Sequence, residues 1–558
     1  MEKYQLSIPL PSAGINYRDD SLIGDNESAE GTVNISFKDG MPKTRKGYIK
    51  KDPYVSLGES GDISRLYIHT VGGRERVAYA VADPGYAAGK LWQYDHRITA
   101  SPGDKRDLGS LQTARPSMIP FAGGIGAIAY SEKTLVLTGA GFKYFDDDHS
   151  LTDIPAYSPT AEEIEAFGTN VLTTTPDEIR KQKWIVNDDN RLWVAGNGNL
   201  VRLCHLGAAG AMPNYWPSLS AFKLQEDCTG MARFMGEVVL FTRHTATLVE
   251  GSTPVSGLAG AYENKQLPGG YGCESAETIA IGDNSLYWAN RTGIYRYTYK
   301  PTGYSIPECV SEFMVDDPAY GTRTRSIRAK LDAIQNWNRV FAVFHDHEYR
   351  LYIGNGEVLV FDSIMASWTL FRYYHSFSSG CDRGGTLYYG STKPITDYAR
   401  IYRMDYPYNP DGTGYDGLSD DGHPFTATLR SKFFDFGKSA NRKRFGRFYF
   451  TIFSELVSYD ILLTVNMDNQ VQIMTGAIEA NKVSRWGNND PDDDASEGIY
   501  AFAFGDVINA DRTNLNYMVK LVHTGKRYNI QYDLTTTGLN QAWTLKDVVL
   551  MLKVKELK

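Results

Sequence analysis

Apolar and polar residues alternate with a period of two along most of this chain, which is typical of half-buried β-strands. Seven pairs of alternating segments are separated by turns rich in Gly, Asn or Pro, so each pair predicts a β-hairpin. The clearest hairpin joins Ser285–Ala289 to Ile294–Thr298 across Asn290-Arg-Thr-Gly293. The other six pairs are Arg76–Val81 with Lys90–Tyr94, Thr134–Leu137 with Phe142–Phe145, Arg191–Val194 with Leu200–Leu203, Glu237–Phe241 with Thr247–Val249, Arg350–Ile353 with Val358–Phe361, and Thr386–Tyr389 with Arg400–Arg403.

The hairpins recur at irregular intervals centred on the size of one four-stranded propeller blade. A single hairpin cannot bury its apolar face alone, so neighbouring units must stack on one another. We therefore predict an all-β chain built around a β-propeller of six or seven blades. A pair of β-sandwiches or a β-solenoid is the alternative.

The pattern divides the chain into four parts. Residues 1–50 form an N-terminal arm with an edge hairpin around Asp39-Gly40, and residues 51–405 form the propeller. Residues 406–424, rich in Pro, Gly and Asp, form a linker. The alternating segments within 425–558 predict a C-terminal antiparallel β-sandwich.

Helices are expected only as insertions. Thr160-Ala-Glu-Glu163 and Thr175-Pro-Asp-Glu178 both match capping boxes, so short helices are predicted near 160–183. A third candidate helix covers Thr322–Asp332.

Composition narrows the class of protein. The formal net charge of -8 over 558 residues argues against a protein that wraps nucleic acid on a basic surface. The five cysteines are widely spaced and form no CxxC motif, so we expect reduced thiols rather than a disulfide framework or a zinc site. The N-terminus does not resemble an export signal, and we expect no membrane-spanning segment.

The motifs do not predict an enzyme or a cofactor. The sequence contains no GxSxG elbow, Walker loop, HExxH motif or dinucleotide-binding GxGxxG. The repeated Asp boxes of sialidase-type propellers have one distant counterpart, Asp382-Arg-Gly-Gly-Thr386. We therefore expect no catalytic residues.

Two clusters could bind a metal ion, but the simpler interpretation is preferred for both. His345 and His347 stand at i and i+2, which places both rings on one face of a strand, and no third ligand is visible. The acidic segment 488–497 includes Asp490-Pro-Asp-Asp-Asp494 but lacks the ligand spacing of a calcium loop. We expect a plain polar face of a strand or turn for the first cluster and a solvated loop for the second.

A basic cluster contrasts with the acidic chain. Its members are Arg442, Lys443, Arg444 and Arg447. One interpretation is a solvated entry to a strand, and the other is a contact with an acidic partner or with phosphates.

The aromatic residues of the clearest hairpin suggest a sugar-binding surface. Alternation, however, sends Tyr287, Trp288, Tyr295 and Tyr297 to opposite faces of the sheet, so part of the set must pack within the blade. We interpret them as core residues first. A carbohydrate-binding or carbohydrate-cleaving propeller at a phage tail tip remains the alternative function, and an intracellular scaffold of the host is a third.

Four stretches resemble a known family. The arm combines Gly14-Ile-Asn16, a turn from Asn34 to Gly40 and Arg45-Lys-Gly-Tyr48; the central stretch runs from Gly270 through Leu286-Tyr-Trp-Ala289 to Gly293-Ile-Tyr295; the third stretch is Val358–Asp362 with Ser367-Trp-Thr369; and the fourth is Asp435-Phe-Gly437 with Lys443-Arg-Phe445. Together they are similar to the tail nozzle or tail tubular proteins of short-tailed bacteriophages, a family related to packaged-DNA stabilisation proteins.

The resemblance implies a structural virion protein in the phage tail, assembled in the host cytoplasm. Members form a homo-oligomeric ring, six-fold by this resemblance, beneath the portal and adaptor. The ring continues the DNA channel, retains and then conducts the genome without sequence-specific binding, and offers an attachment surface for fibres or spikes. A mildly acidic wall suits such a conduit, because each neutralised phosphate would add affinity that slows the passage of DNA.

Overall fold

Seven four-stranded antiparallel sheets follow one another between residues 48 and 404. The computed structural model describes residues 3–11, 14–16, 28–29, 31–50, 61–71, 74–83, 85–95, 105–121, 133–146, 150–174, 176–188, 191–205, 214–251, 262–299, 306–311, 327–394, 398–405, 419–436, 442–454, 459–467, 470–478, 514–520, 527–539 and 541–554. The sheets are the blades of a seven-bladed β-propeller, which confirms the predicted fold class.

Each predicted hairpin forms the two central strands of one blade. Blade 1 comprises Ile63–Val71, Arg74–Ala82, Gly89–Asp95 and Arg106–Leu111; blade 2, Ser117–Phe121, Lys133–Leu137, Phe142–Phe145 and Thr152–Asp153; blade 3, Trp184–Asp188, Arg191–Gly196, Gly198–Leu203 and Ala221–Lys223; blade 4, Gly230–Phe234, Glu237–Phe241, Ala246–Gly251 and Tyr262–Gln266. Blade 5 comprises Ala280–Gly282, Ser285–Asn290, Gly293–Thr298 and Glu308–Cys309; blade 6, Phe341–His345, Glu348–Gly354, Glu357–Asp362 and Ser367–Arg372; blade 7, Phe377–Arg383, Thr386–Ser391, Ile401–Met404 and, from the arm, Tyr48–Lys50.

The first strand of a blade lies nearest the propeller axis. First strands of neighbouring blades contact one another between blades 2 and 3, 3 and 4, 5 and 6, and 6 and 7, and blade 7 contacts blade 1 in the same way to close the circle. The fourth strand of each blade lies at the periphery.

Aromatic side chains pack the blades together through both faces of each sheet. In blade 5, the ring of Tyr287 stacks on Tyr349 of blade 6 with centroids 5.3 Å apart, whereas Trp288 lies 5.1 Å from Phe241 of blade 4. Tyr295 and Tyr297 are buried on the same side as Trp288. The four aromatic residues considered for a sugar-binding surface are therefore core residues, as alternation predicts.

The C-terminal residues form a sandwich of two sheets. One sheet has the order Asn514–Lys520, Lys443–Ser454, Trp543–Val554, Lys43–Thr44 and Ile35–Ser36, with Lys3–Ser7 also paired to Trp543–Val554; the other has the order Ala427–Arg430, Gln531–Thr536, Tyr459–Met467 and Gln470–Ile478. Phe450 from the first sheet and Tyr532 from the second meet edge to face at 5.5 Å in the core between them.

The strands of the N-terminal arm join sheets of both the sandwich and the propeller. Its hairpin forms between Ile35–Ser36 and Lys43–Thr44, but these strands extend a sheet of the sandwich. Its next strand, Tyr48–Lys50, completes blade 7 by pairing with Ile401–Met404. A further pair, Ile15–Asn16 and Ser28–Ala29, lies against the outer strand of blade 6 and the first strand of the second sandwich sheet.

Short helices occur where they are predicted. The insertion contains Ala161–Phe167, Val171–Thr174 and Pro176–Arg180, and the first of these helices begins with the capping box of Thr160 and Glu163. Ile327–Asp332 is the described part of the third candidate helix. Among the described residues, the 3-10 turns are Lys38–Gly40, Ala276–Thr278 and Trp337–Arg339. In the described part of the chain, no helix is long and apolar enough to cross a membrane.

The entry of the arm into blade 7 requires a glycine. A Cβ atom at Gly47 would lie 1.9 Å from the carbonyl oxygen of Ser419, a backbone atom that cannot rotate away. We therefore expect Gly47→Ala to lower the free energy of unfolding by about 1–3 kcal/mol, measured by urea denaturation. Gly85→Ala is the matched control, because its nearest neighbour would be 3.9 Å away. Equal effects of the two substitutions would contradict the close approach.

Candidate functional site

A cleft of about 700 Å³ opens where the arm, blades 6 and 7 and the sandwich meet. Its wall carries charged or polar side chains from all of these parts: Lys38, Asp39, Lys43 and Lys46 from the arm, His345, Asp346, Glu348 and Arg350 from blade 6, Asp405 after blade 7, and Thr544 from the sandwich. Positive and negative groups are mixed, so the cleft does not present a single sign of charge.

A buried ionic network forms the floor of this cleft. Glu348 and Arg350 are two residues apart, so both side chains lie on one face of their strand. The Arg350 Nη2 atom lies 2.6 Å from a carboxylate oxygen of Glu348 and 2.6 Å from one of Asp405. The Nδ1 atom of His345 lies 2.5 Å from Asp382, and its Nε2 atom lies 3.9 Å from Asp405.

The pKa values of the two carboxyls in the network shift in opposite directions. Burial raises the pKa of Glu348, and the nearby Arg350 does not offset it. Burial also opposes ionisation of Asp405, but there the Arg350 guanidinium outweighs it and lowers the pKa. Both carboxylates neutralise one buried cation, so the arrangement supports a structural role for them.

The histidine pair does not form the predicted shared face, because the strand ends at His345. Asp346 and His347 have left-handed backbone angles in the following turn, with φ of 48° and 65°. The His347 Nδ1 atom lies 2.9 Å from Asp283 of blade 5, whereas His345 contacts Asp382 of blade 7. Within the residues that the structure describes, no cluster of three potential ligands could hold a metal ion.

Arg45 and Asp420 join the arm to the end of the predicted linker. Both side chains are almost fully buried, and the guanidinium binds the carboxylate through two parallel contacts of 2.8 and 2.7 Å. Burial alone would lower the pKa of Arg45, but Asp420 outweighs burial and raises it. Residues 419–423 therefore form a turn, closed by the pairing of Asp420 with His423, at the end of the predicted linker.

The remaining Arg45 donors bind the surrounding segments. Nε donates to the Asn34 side chain at 2.8 Å, and Nη2 donates to the carbonyl of Arg372 in blade 6 at 2.7 Å. Asn34 in turn donates to the carbonyl of Thr426, at the start of the sandwich, at 2.7 Å. We name Asn34, Arg45 and Asp420 the arm clasp, because their bonds link arm, propeller and sandwich.

Charged side chains obstruct the central bore of the propeller. Arg65, in the first strand of blade 1, pairs with Glu277, which lies just before blade 5. Because blades 1 and 5 are not neighbours, this ion pair spans the axis. Arg115, which follows blade 1, donates to the carbonyls of Val340 and Ser378 at 3.2 and 2.7 Å. The mouth where these residues meet is therefore not an open passage.

The predicted basic cluster is only partly available to a partner. Arg442, Arg444 and Arg447 are exposed, but Lys443 is fully buried, and its Nζ atom donates to the carbonyl of Tyr528 at 2.8 Å. Strand alternation explains the difference, because Lys443 and Phe445 face the sandwich core. The acidic segment 488–497 lies outside the described residues.

The arm clasp makes a direct prediction about stability. Arg45→Met or Asp420→Asn leaves a buried group without its charged partner, so each should lower the free energy of unfolding by about 3–5 kcal/mol. The double variant should lower the free energy of unfolding by less than the sum of the two single effects, measured by urea unfolding at neutral pH. Lys43→Met removes the exposed pair with Asp39 and should cost less than about 1 kcal/mol. Additive effects of Arg45→Met and Asp420→Asn would contradict direct coupling.

Asp405 predicts a pH dependence. Because its pKa is lower in the folded protein, its contribution to stability is present above the ordinary aspartate pKa of about 4 and is lost as the pH falls through the folded value. Asp405→Asn should therefore be less stable than wild type at pH 7, and the difference should shrink in acid. Urea titrations between pH 7 and pH 3 measure it. Asp153→Asn, which removes an exposed ion pair with Lys143, is the matched control and should change the free energy of unfolding by less than about 1 kcal/mol at pH 7. A difference between Asp405→Asn and wild type that stays constant with pH would count against the assignment to Asp405.

Comparisons with known proteins yield only distant structural similarity. No protein-family model matches the chain, and no curated protein matches it. The solved structures that are similar include BamB from Moraxella catarrhalis, with 8% identity, a TM-score of 0.34, and coverage of 68% of this chain and 95% of that one. The β-propeller domain of the Trilobed protease from Pyrococcus furiosus has 9% identity and a TM-score of 0.32, with coverage of 64% and 99%. YCF48 bound to D1 peptide has 10% identity and a TM-score of 0.35, with coverage of 64% and 95%.

Proposed function

We propose that this chain is a structural virion protein of the tail nozzle type. Copies of it would form a ring below the portal and adaptor, continue the DNA channel, and offer a surface to fibres or spikes. In this proposal the protein retains the genome and then conducts it, without sequence-specific binding and without catalysis.

The proposal rests on the observation that the four family-like stretches meet in the folded protein. Side chains from all four pack in a single hydrophobic core, with Ile15 from the arm, Tyr287 from blade 5, Trp368 from blade 6 and Phe445 from the sandwich among its members. Gly14 pairs directly with Trp368, although the two are far apart in sequence. The resemblance therefore concerns one interlocked architecture rather than four unrelated short motifs.

The glycine and arginine of the arm motif have specific structural roles that support this interpretation. Arg45 belongs to the arm clasp, and Gly47 allows the arm to pass the backbone of Ser419. Tyr48 then pairs with blade 7, and its hydroxyl shares a hydrogen bond of 2.7 Å with Nδ1 of His375. A component that bears the pressure of packaged DNA needs its parts to be coupled in this way.

The obstructed bore bears on the route of DNA. The bore is crossed by the Arg65–Glu277 pair and narrowed by Arg115. A DNA duplex would therefore have to pass outside each propeller. In the proposed ring, the channel lies between copies and each propeller is part of the wall. Arg442, Arg444 and Arg447 are exposed, so an acidic neighbour can reach them.

The test is assembly with the adaptor. The purified chain, mixed with the portal and adaptor proteins of the same phage, should form a symmetric ring with an axial channel in cryo-electron micrographs. The ring should be six-fold and should dock on the adaptor end of the complex. A chain that stays monomeric and unbound in this mixture would overturn the proposal. Adaptor without this chain is the control for rings that the adaptor forms alone.

A further inference from the structure

The first sheet of the sandwich has a basic outer face. Arg442, Arg444 and Arg447 are exposed along the first half of the strand Lys443–Ser454. Arg444 lies directly opposite Lys553 on the neighbouring strand. Like charges that face each other across two strands repel, so this arrangement favours a negatively charged neighbour. We name these three arginines and Lys553 the basic face.

The basic face lies at the end of the sandwich that is distant from the propeller. At the other end of the same strand, Ser454 pairs with Trp543, which lines the cleft beside the arm. The strand has 12 residues, so its two ends are about 36 Å apart. The segments 437–441 and 521–526, which lie outside the described residues and precede Arg442 and Arg527, contain no acidic residue. Neither segment can therefore neutralise the basic face.

A surface of opposite charge lies in the insertion between blades 2 and 3. The helix Ala161–Phe167 buries only its last residue, and Glu162, Ile164 and Glu165 are exposed. Leu219, which is 70% exposed, donates its backbone N–H to the carbonyl of that last residue at 3.2 Å and so lies beside the helix. An apolar centre with charged residues around it is typical of protein interfaces. We name these four exposed side chains the acidic face.

The segment beside the acidic face that lies outside the described residues is uncharged. It comprises residues 206–213 and follows His205, whose ring lies 4.1 Å from that of Phe167. The basic residues Arg180 and Lys181 stand at the end of the third helix of the insertion and directly after it, not in the helix that carries the two exposed glutamates. The uncharged segment therefore cannot neutralise these glutamates.

The two faces belong to opposite sides of the propeller. The insertion packs between blades 2 and 3, because its Ile179 shares a core with Leu135 of blade 2 and Ile185 of blade 3. The sandwich packs on blade 6, where Leu370 and Leu429 share another core. Two blades separate blade 6 from blade 2 in one direction and from blade 3 in the other. Complementary surfaces on opposite sides of a subunit allow a head-to-tail contact that repeats around a ring.

We propose that the acidic face of one copy of this chain binds the basic face of the next copy. The two exposed glutamates pair with Arg442 and Arg444, and the apolar centre packs on Tyr528, which is 39% exposed and lies under Arg442. Charge complementarity selects this occupant: the net charge of -8 makes copies repel overall, so they associate where one presents a local excess of positive charge. The inference rests on the proposed ring and names the surfaces through which its copies meet.

The experiment reverses the charge of each face separately. Ring yield is counted in cryo-electron micrographs of the chain with portal and adaptor. Glu162→Lys/Glu165→Lys and Arg442→Glu/Arg444→Glu should each lower this yield at least tenfold, because each variant brings like charges together at the contact. Glu263→Lys, at an exposed position on the outer strand of blade 4, is the matched control and should assemble like wild type.

Mixing the two charge-reversed variants should restore the rings. At one contact the new lysines of the first variant meet the new glutamates of the second, and at the next contact the native arginines meet the native glutamates. The two variants therefore alternate around a ring with an even number of subunits. A variant that had lost its fold would not be rescued by mixing.

The outcomes separate this inference from the proposed function. If wild type forms rings and both variants form the same rings alone, copies meet elsewhere and only the interface assignment fails. If each variant loses its rings and the mixture does not recover them, the losses do not come from this contact, which also overturns the assignment. If wild type forms no ring even with the adaptor, the proposed function and this inference fail together.

Discussion

The buried ion pair between Arg45 and Asp420 holds the arm, propeller and sandwich in one arrangement. A bare guanidinium in this position would be very costly, and the bidentate carboxylate, two carbonyls and the Asn34 side chain together satisfy it. Such a pair contributes specificity as much as net stability, because any displacement of the arm would leave both charges buried and unpaired. The closure of blade 7 by Tyr48–Lys50 therefore depends on the same contact.

The central hairpins of the blades were predictable from sequence because each hairpin is local. Its alternation and turn chemistry lie within a few tens of residues, so the sequence pattern locates all seven. The pattern also predicts the hairpin of the arm, but not its sheet partners, since Lys43–Thr44 and Tyr48–Lys50 are too short to show a period and their partners lie hundreds of residues away. Asp420 was likewise hidden, because an aspartate in a stretch rich in Gly, Pro and Asp is normally a solvated turn residue.

Side-chain chemistry was less predictable than topology. The pair at His345 and His347 fails as a shared face because the strand ends between them, and element ends are what a sequence pattern locates least well. A usable signal was present nearby: Glu348 and Arg350 place opposite charges two residues apart in an otherwise apolar strand. That spacing puts both on one face, where a buried pair is the arrangement that satisfies them.

The positions of the buried and exposed charges lead to one physical interpretation of the whole chain. Two buried ion pairs lie where separate parts of the chain must stay together, at the arm clasp and at the cleft floor. A buried ion pair fixes geometry within a subunit because it tolerates little displacement. The ion pairs at these joints therefore keep the arm, the propeller blades and the sandwich in one arrangement.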